Sequence, residues 1–355
     1  MKRLLLTAAL LAAGVAGLPG AFAQEKVDLD MTSRIRQEAF QRSQAMATLN
    51  HLTDVIGPRL TNSPSMAEAN RWTRSKFTEW GLSNVHDEAV DDIGRGWSFN
   101  DAGVEMLSPR VMPLHALPKA WTPGTAGPVE GEAIAAKLQM KGKVVFTDDL
   151  RAYKPNEKSD FDRHDHESLE ELLSYPLPSE RTRDASMLAQ YRERMEFGPL
   201  LNKFLIDEGV VATMSISSWN DGIVRVMGGG SRKAGESVGV PALVMMAEHY
   251  NTVMRALERK ETVKLRVNVD ARFLNDDNQP GYNTIAEIPG SGPDRNEVVM
   301  LGAHMDSWHT GSGANDNGAG VAVMMEAVRI LKAVGARPNR TIRVALWTGE
   351  EQGLI

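Results

Sequence analysis

The chain has 355 residues, 42% of them hydrophobic and 24% charged, with a net charge of -6. This is a globular balance with room for two domains, and no basic stripe marks it as a nucleic-acid binder. There is no cysteine, so disulfides and a lipid-modified cysteine are excluded and stability must come from core packing.

Residues 1–23 read as a signal peptide. Lys2 and Arg3 precede an apolar run from Leu4 to Ala16, which is too short to span a bilayer, and Ala21-Phe22-Ala23 fits a small-x-small cleavage site. The expected mature start is Gln24, in the periplasm or the medium. No later apolar run is long enough for a membrane span, so no membrane contact is expected after cleavage.

Residues 31–57 are helix-compatible, with Ile35, Phe40, Met46, Leu49 and Ile56 as candidate core positions. Asn62-Ser63-Pro64-Ser65 reads as a turn and helix start. Residues 66–80 then place Ala67, Trp72, Phe77 and Trp80 near helical spacing, and Gly81 follows as a C-cap. Six prolines and glycines between 113 and 128 mark a linker or domain crossing. Strand-like runs follow at 141–149, 210–216, 240–246 and 263–273, with a helix over 247–259. The tract His164-Asp165-His166-Glu167 looks metal-like, but it sits in a highly charged segment and reads as a solvated face.

The last section has a sharper rhythm. Residues 283–290 read as strand and turn, and EVVMLGAH (297–304) as a buried strand. Residues 320–335 form a helix with Val321, Met324, Met325, Val328 and Leu331 on one face, closed by Gly335. RTIRVALW (340–347) is another strand. Strand, loop, helix, strand is a βαβ unit, which predicts an α/β fold with a partly parallel sheet. His304 ends one strand, Glu350 and Glu351 follow the next, and Asp316 precedes the helix between them. Strand ends of this kind face one crevice. A phosphate does not suit this loop, because the carboxylates would repel it and no Gly-Lys-Ser/Thr follows the glycines. A divalent metal suits the charge, and one imidazole with two carboxylates suits zinc with a position open for water.

Three segments carry a resemblance: GAHMDSW (302–308), GANDNGAG (313–320) and WTGEEQG (347–353). Together they resemble the M28 zinc peptidases, co-catalytic aminopeptidases and related carboxypeptidases of the carboxypeptidase Q-like group. IGPRLTNSPSMAEANRW (56–72) is similar to the N-terminal part of that family. The resemblance implies an α/β fold with a mixed, largely parallel sheet in a zinc exopeptidase domain, built from 24–116 and 273–355. A β-rich protease-associated domain would be inserted at 117–272. It implies that His304 and Glu351 bind one zinc, that Asp316 bridges two zinc ions, that Asp306 orients His304, and that Glu350 is the general base. As neighbours in an extended segment, Glu350 and Glu351 would point opposite ways.

The family's second zinc needs a further acidic ligand and a final histidine beyond the glutamate pair. The chain reads as C-terminally truncated at Ile355, with the second site incomplete and activity of this polypeptide itself in doubt. Short peptides are the expected substrates, and the oligomeric state is open. Two rival readings are a glutaminyl-cyclase-like transferase of the same fold and a non-catalytic zinc-binding protein. Trp308 and His309 are candidates to line the substrate pocket, but His309 departs from the family pattern and reads rather as a surface residue. The glycines at 311, 313, 318 and 320 would let the backbone turn tightly around the metal, with some as loop filler.

Overall fold

The computed structural model describes residues 27–136, 139–153, 163–174 and 185–353. The expected signal peptide and cleavage site lie outside the described residues.

Helix α1 (Leu29–Gln41) is followed by α2 (Ala45–Asn50), which runs on into a π-helical turn over His51–Ile56. Helix α3 (Pro64–Glu79) starts as its sequence predicts: Ser63 accepts a hydrogen bond from the Met66 N–H, and Pro64 occupies the first turn, where no N–H is needed. Gly81, at φ 74°, closes it. The strands are β1 (Ser83–Gly94), β2 (Trp97–Ser108), β3 (Met112–Leu114), β4 (Ala116–Pro118), β5 (Val129–Ala135) and β6 (Lys143–Phe146). After α4 (His166–Leu173) and α5 (Ala185–Asp207) come β7 (Ala212–Ile216), β8 (Ala242–Met245), α6 (Ala247–Glu258) and β9 (Lys264–Phe273). The chain then adds β10 (Gln279–Ile288), β11 (Val298–His304), α7 (Ala319–Ala333) and β12 (Thr341–Trp347).

Among the described residues two mixed sheets form, and the α/β class is as expected. One has four strands in the order β1-β10-β12-β11 and the other has eight in the order β3-β2-β9-β5-β6-β7-β8-β4. In the smaller sheet only β11 and β12 are parallel, and they are the two arms of the βαβ unit. In the larger, β5 to β8 run parallel and the remaining pairs are antiparallel. The chain passes from one sheet to the other at residues 95–96 and returns at 274–278. Strands β2 and β3, placed by the expected division at 116/117 with the first peptidase part, pair inside the eight-stranded sheet. The Pro/Gly stretch is a packed crossing, with Ala120 and Trp121 buried and the Trp97 indole N–H bonded to the Thr122 carbonyl at 2.8 Å.

The core beneath the smaller sheet joins Val321, Met325 and Val328 of α7 to Phe77 of α3 and to Val344 and Leu346 of β12. Phe40 and Met46, expected in the core, are exposed at 82% and 65%. Glu38 and Thr48 are the buried residues of their helices instead. Glu38 turns inward because Arg329 of α7, also buried, donates to its carboxylate at 2.8 Å and to that of Glu326 at 2.7 Å. Hydrogen bonds from Arg329 and Arg42 hold the Glu38 carboxyl below its usual range. A polar network thus docks α1 where hydrophobic periodicity predicted an apolar face.

Strand β11 is not buried along its length. Val298, Val299 and Met300 are 44–52% exposed, because β11 is an edge strand with no described strand pairing on its outer side. Only its C-terminal end is enclosed, and that end carries His304.

Candidate active site

The parallel pair β11–β12 brings the site together. Register places His304 opposite Trp347, and the Met305 N–H closes the pairing on the Trp347 carbonyl at 2.7 Å. Beyond this level both segments leave the sheet at the same end, because the two strands are parallel. Residues 305–313 become a loop leading to Asp316 and α7, and residues 348–353 become a short turn carrying Glu350 and Glu351. Gly349, at φ 80°, adopts the left-handed conformation that starts this 3-10 turn (Glu350–Gln352). The two glutamates therefore sit in a tight helical turn, not the extended segment expected. Their side chains still diverge, since residues of a 3-10 helix are about 120° apart.

Within the site, the His304 side chain is 11% exposed and its Nε2 lies 3.0 Å from Asp316 Oδ1 and 3.8 Å from Glu350 Oε2. Its Nδ1 is 3.0 Å from the Asp306 backbone carbonyl and 3.6 Å from the Asp306 carboxylate. Asp306 thus orients the ring mainly through its carbonyl. Its carboxylate, 0% exposed, is engaged elsewhere: it accepts from the Thr61 hydroxyl at 2.9 Å, the Glu350 N–H at 3.3 Å and the Glu351 N–H at 3.2 Å. One carboxylate therefore fixes both strand-end segments relative to each other.

Burial alone would depress the His304 pKa, but Asp306 and Glu350 together raise it to about 9. Burial and the nearby Asp316 charge push the Glu351 carboxyl up, opposed by a hydrogen bond to the Trp308 side chain. Asp316 and Glu350 thus face one imidazole nitrogen, and Glu351 lies near enough to feel the Asp316 charge, an arrangement that a cation would stabilise.

The donor chemistry fits zinc. A carbonyl acceptor at Nδ1 leaves Nε2 to face the carboxylates, the orientation a ligating imidazole needs. Two atoms each about 2.0–2.1 Å from a tetrahedral ion are about 3.3 Å apart, and the 3.0 Å separation of His304 Nε2 from Asp316 Oδ1 is close to that value. Among the described residues, no group of three or more His, Asp or Glu side chains is drawn together tightly enough to enclose an ion. Glu350, not Glu351, makes the nearer approach to His304. A cavity of about 440 Å³ lies over this cluster, with His304, Glu350, Asn283, Asn317 and Trp347 in its wall.

His309 corrects the sequence reading. It is 5% exposed, packed edge-on against Trp97 and Phe99, with Nε2 bonded to the Pro118 carbonyl at 2.8 Å. Burial pushes its pKa down to about 4, so it is neutral at pH 7. It is a wall between the two sheets, not a surface residue. His164 to Glu167 are exposed as expected, with Asp165 capping α4. Three residues with clear roles escaped the sequence reading. Thr61 holds Asp306, Gln352 bonds to the Thr61 hydroxyl, and Arg59 lies buried under the loop.

Residues 283–355 match the family model of Peptidase family M28. Carboxypeptidase Q of Bos taurus is 29% identical over 339 residues, covering 94% of this chain and 63% of its own length. A crystal structure of a Peptidase M28 precursor from Shewanella amazonensis SB2B superposes with a TM-score of 0.58 at 25% identity, covering 92% of this chain and 69% of that one. The metal-site segment is thus similar to peptidase family M28, and the chain as a whole is similar to peptidases of that family. The fold is shared more distantly with BSAP, a zinc aminopeptidase from Bacillus subtilis, with a TM-score of 0.51, 16% identity and coverage of 86% and 61%. The chain spans less than two thirds of the length of the carboxypeptidase Q it matches. No helix among its described residues is long and apolar enough to cross a membrane.

Proposed function

We propose that the complete protein is an exported, zinc-dependent exopeptidase acting on short peptides with a free N-terminus. In this reading the four-stranded sheet and its helices form the peptidase part, and the eight-stranded unit is the insert. The single observation that carries it is the convergence at the β11–β12 strand ends: His304 Nε2 faces Asp316 and Glu350, while Asp306 holds both glutamate N–H groups.

His304, Asp316 and Glu351 are the residues that would hold zinc, with Asp316 shared with a second ion. Zinc, when bound, polarises the scissile carbonyl and makes water acidic enough to attack near neutral pH. Asp306 fixes the His304 ring so that Nε2, not Nδ1, is presented. Glu350, at the cavity wall, accepts the proton of the attacking water and delivers it to the leaving amine. The Trp308 side chain hydrogen-bonds to the Glu351 carboxylate.

The test is hydrolysis by the purified complete protein of dipeptides and aminoacyl-anilides, with free and blocked N-termini, before and after chelation. Cleavage of the free forms, lost on chelation and restored by zinc, is expected. Loss of ammonia from glutaminyl peptides without hydrolysis would favour the cyclase-type transferase. Zinc uptake with no turnover of any substrate would favour a binding protein.

A further inference from the structure

We infer that Arg59 is a positioning residue that sets the geometry of the metal-holding loop, resting on the reading of the site just given. Its side chain is 0% exposed and forms no ion pair with a described residue. Burying a guanidinium among neutral groups is costly unless its donors are filled, and here they meet five backbone carbonyls. Nε donates to Met305 at 2.8 Å, Nη1 to Gly57, Leu52 and Ser312 at 2.9–3.1 Å, and Nη2 to Gly313 at 2.9 Å.

The positions of those acceptors matter. Met305 follows His304 directly, and Ser312 and Gly313 lead into Asp316. One rigid, planar group therefore spans the two ends of the loop between the imidazole and the carboxylate, at a separation that its fork geometry dictates. The main chains interlock as well: the Arg59 N–H donates to Ser307 Oγ at 3.1 Å, and the Ser307 N–H donates to the Arg59 carbonyl at 3.0 Å. Two residues on, Thr61 holds Asp306.

This gives some of the loop glycines a specific purpose. Gly313 is at φ 61°, and a Cβ there would lie 2.5 Å from Ser307 Cβ and 2.7 Å from Arg59 Nη2. The backbone must be bare at this point for the guanidinium to reach its carbonyl. A Cβ on Gly311 would meet nothing within 4 Å, so that glycine is loop filler.

The experiment uses the complete protein with Arg59→Lys and Ser307→Ala, measuring zinc affinity by chelator competition and amide exchange residue by residue. Lysine keeps the charge but cannot span both loop ends. Arg59→Lys should weaken zinc binding by about tenfold, the lower end for losing support behind a ligand. It should also speed exchange across 305–318, leaving exchange in the eight-stranded sheet unchanged. Ser307→Ala, which removes one hydrogen bond to the same segment, should weaken zinc by about fivefold. A folded Arg59→Lys protein with wild-type zinc affinity overturns the inference. If Arg59→Lys does not fold, wild-type zinc affinity in Ser307→Ala overturns it. Wild-type protein that takes up no zinc sinks the site reading and this inference with it, whereas tight wild-type binding with unaffected variants sinks only this one.

Discussion

In the complete protein, Glu350→Gln lowers kcat by on the order of 10²–10⁴-fold, the usual worth of general acid–base catalysis, and leaves zinc content at the wild-type level. The amide keeps the side chain's shape at the cavity wall but cannot take a proton from water. Glu351→Gln does the opposite: zinc is held loosely, and excess zinc restores part of the rate. The 3-10 turn makes this separation of roles physical, because it directs the two side chains about 120° apart from adjacent positions. Zinc analysis and steady-state kinetics on both variants check it. The short approach of Glu350 to His304, 3.8 Å, gives the alternative outcome its meaning. If Glu350→Gln loses zinc and Glu351→Gln keeps it, the two roles are exchanged.

Asp306→Asn in the same protein reduces zinc affinity or kcat/KM by roughly 10–100-fold. Oδ1 accepts one N–H, while Oδ2 accepts a hydroxyl and a second N–H. An amide has one acceptor oxygen, so its NH2 must face a backbone donor, and one glutamate N–H is left without a partner inside the protein. The turn bearing both glutamates then shifts together with the ring of His304. Chelator competition and kinetics read the two effects separately. Unchanged values in both would reduce Asp306 to a turn residue.

The elements that chemistry depends on were the most legible in sequence. The helix read over 320–335 and the strand read over 340–347 are observed at Ala319–Ala333 and Thr341–Trp347, and the order His304, Asp316, Glu350-Glu351 follows from strand ends meeting at one crevice. What escaped was polar and nonlocal. Glu38 packs inward because of Arg329, almost 300 residues away, and no local pattern reports such a partner. Arg59 and Thr61 lay within a stretch noticed only for its family resemblance, since an arginine bonded solely to carbonyls leaves no matching acid in the sequence. His309 read as surface because the aromatic wall of Trp97 and Phe99 comes from another sheet. Residues 297–304 read as a buried strand, yet this strand stands at a sheet edge among the described residues, with Val298 to Met300 exposed. Composition gives hydrophobicity; it does not give the neighbours that cover it.

The most direct measurement is anomalous diffraction at the zinc absorption edge from crystals of the complete protein grown with zinc. A strong peak within ligand distance of His304 Nε2 and the carboxylates of Asp316 and Glu351 is the predicted result. A zinc-replete crystal with no peak at the β11–β12 strand ends, or with its zinc held by other residues, would contradict the assignment of the site.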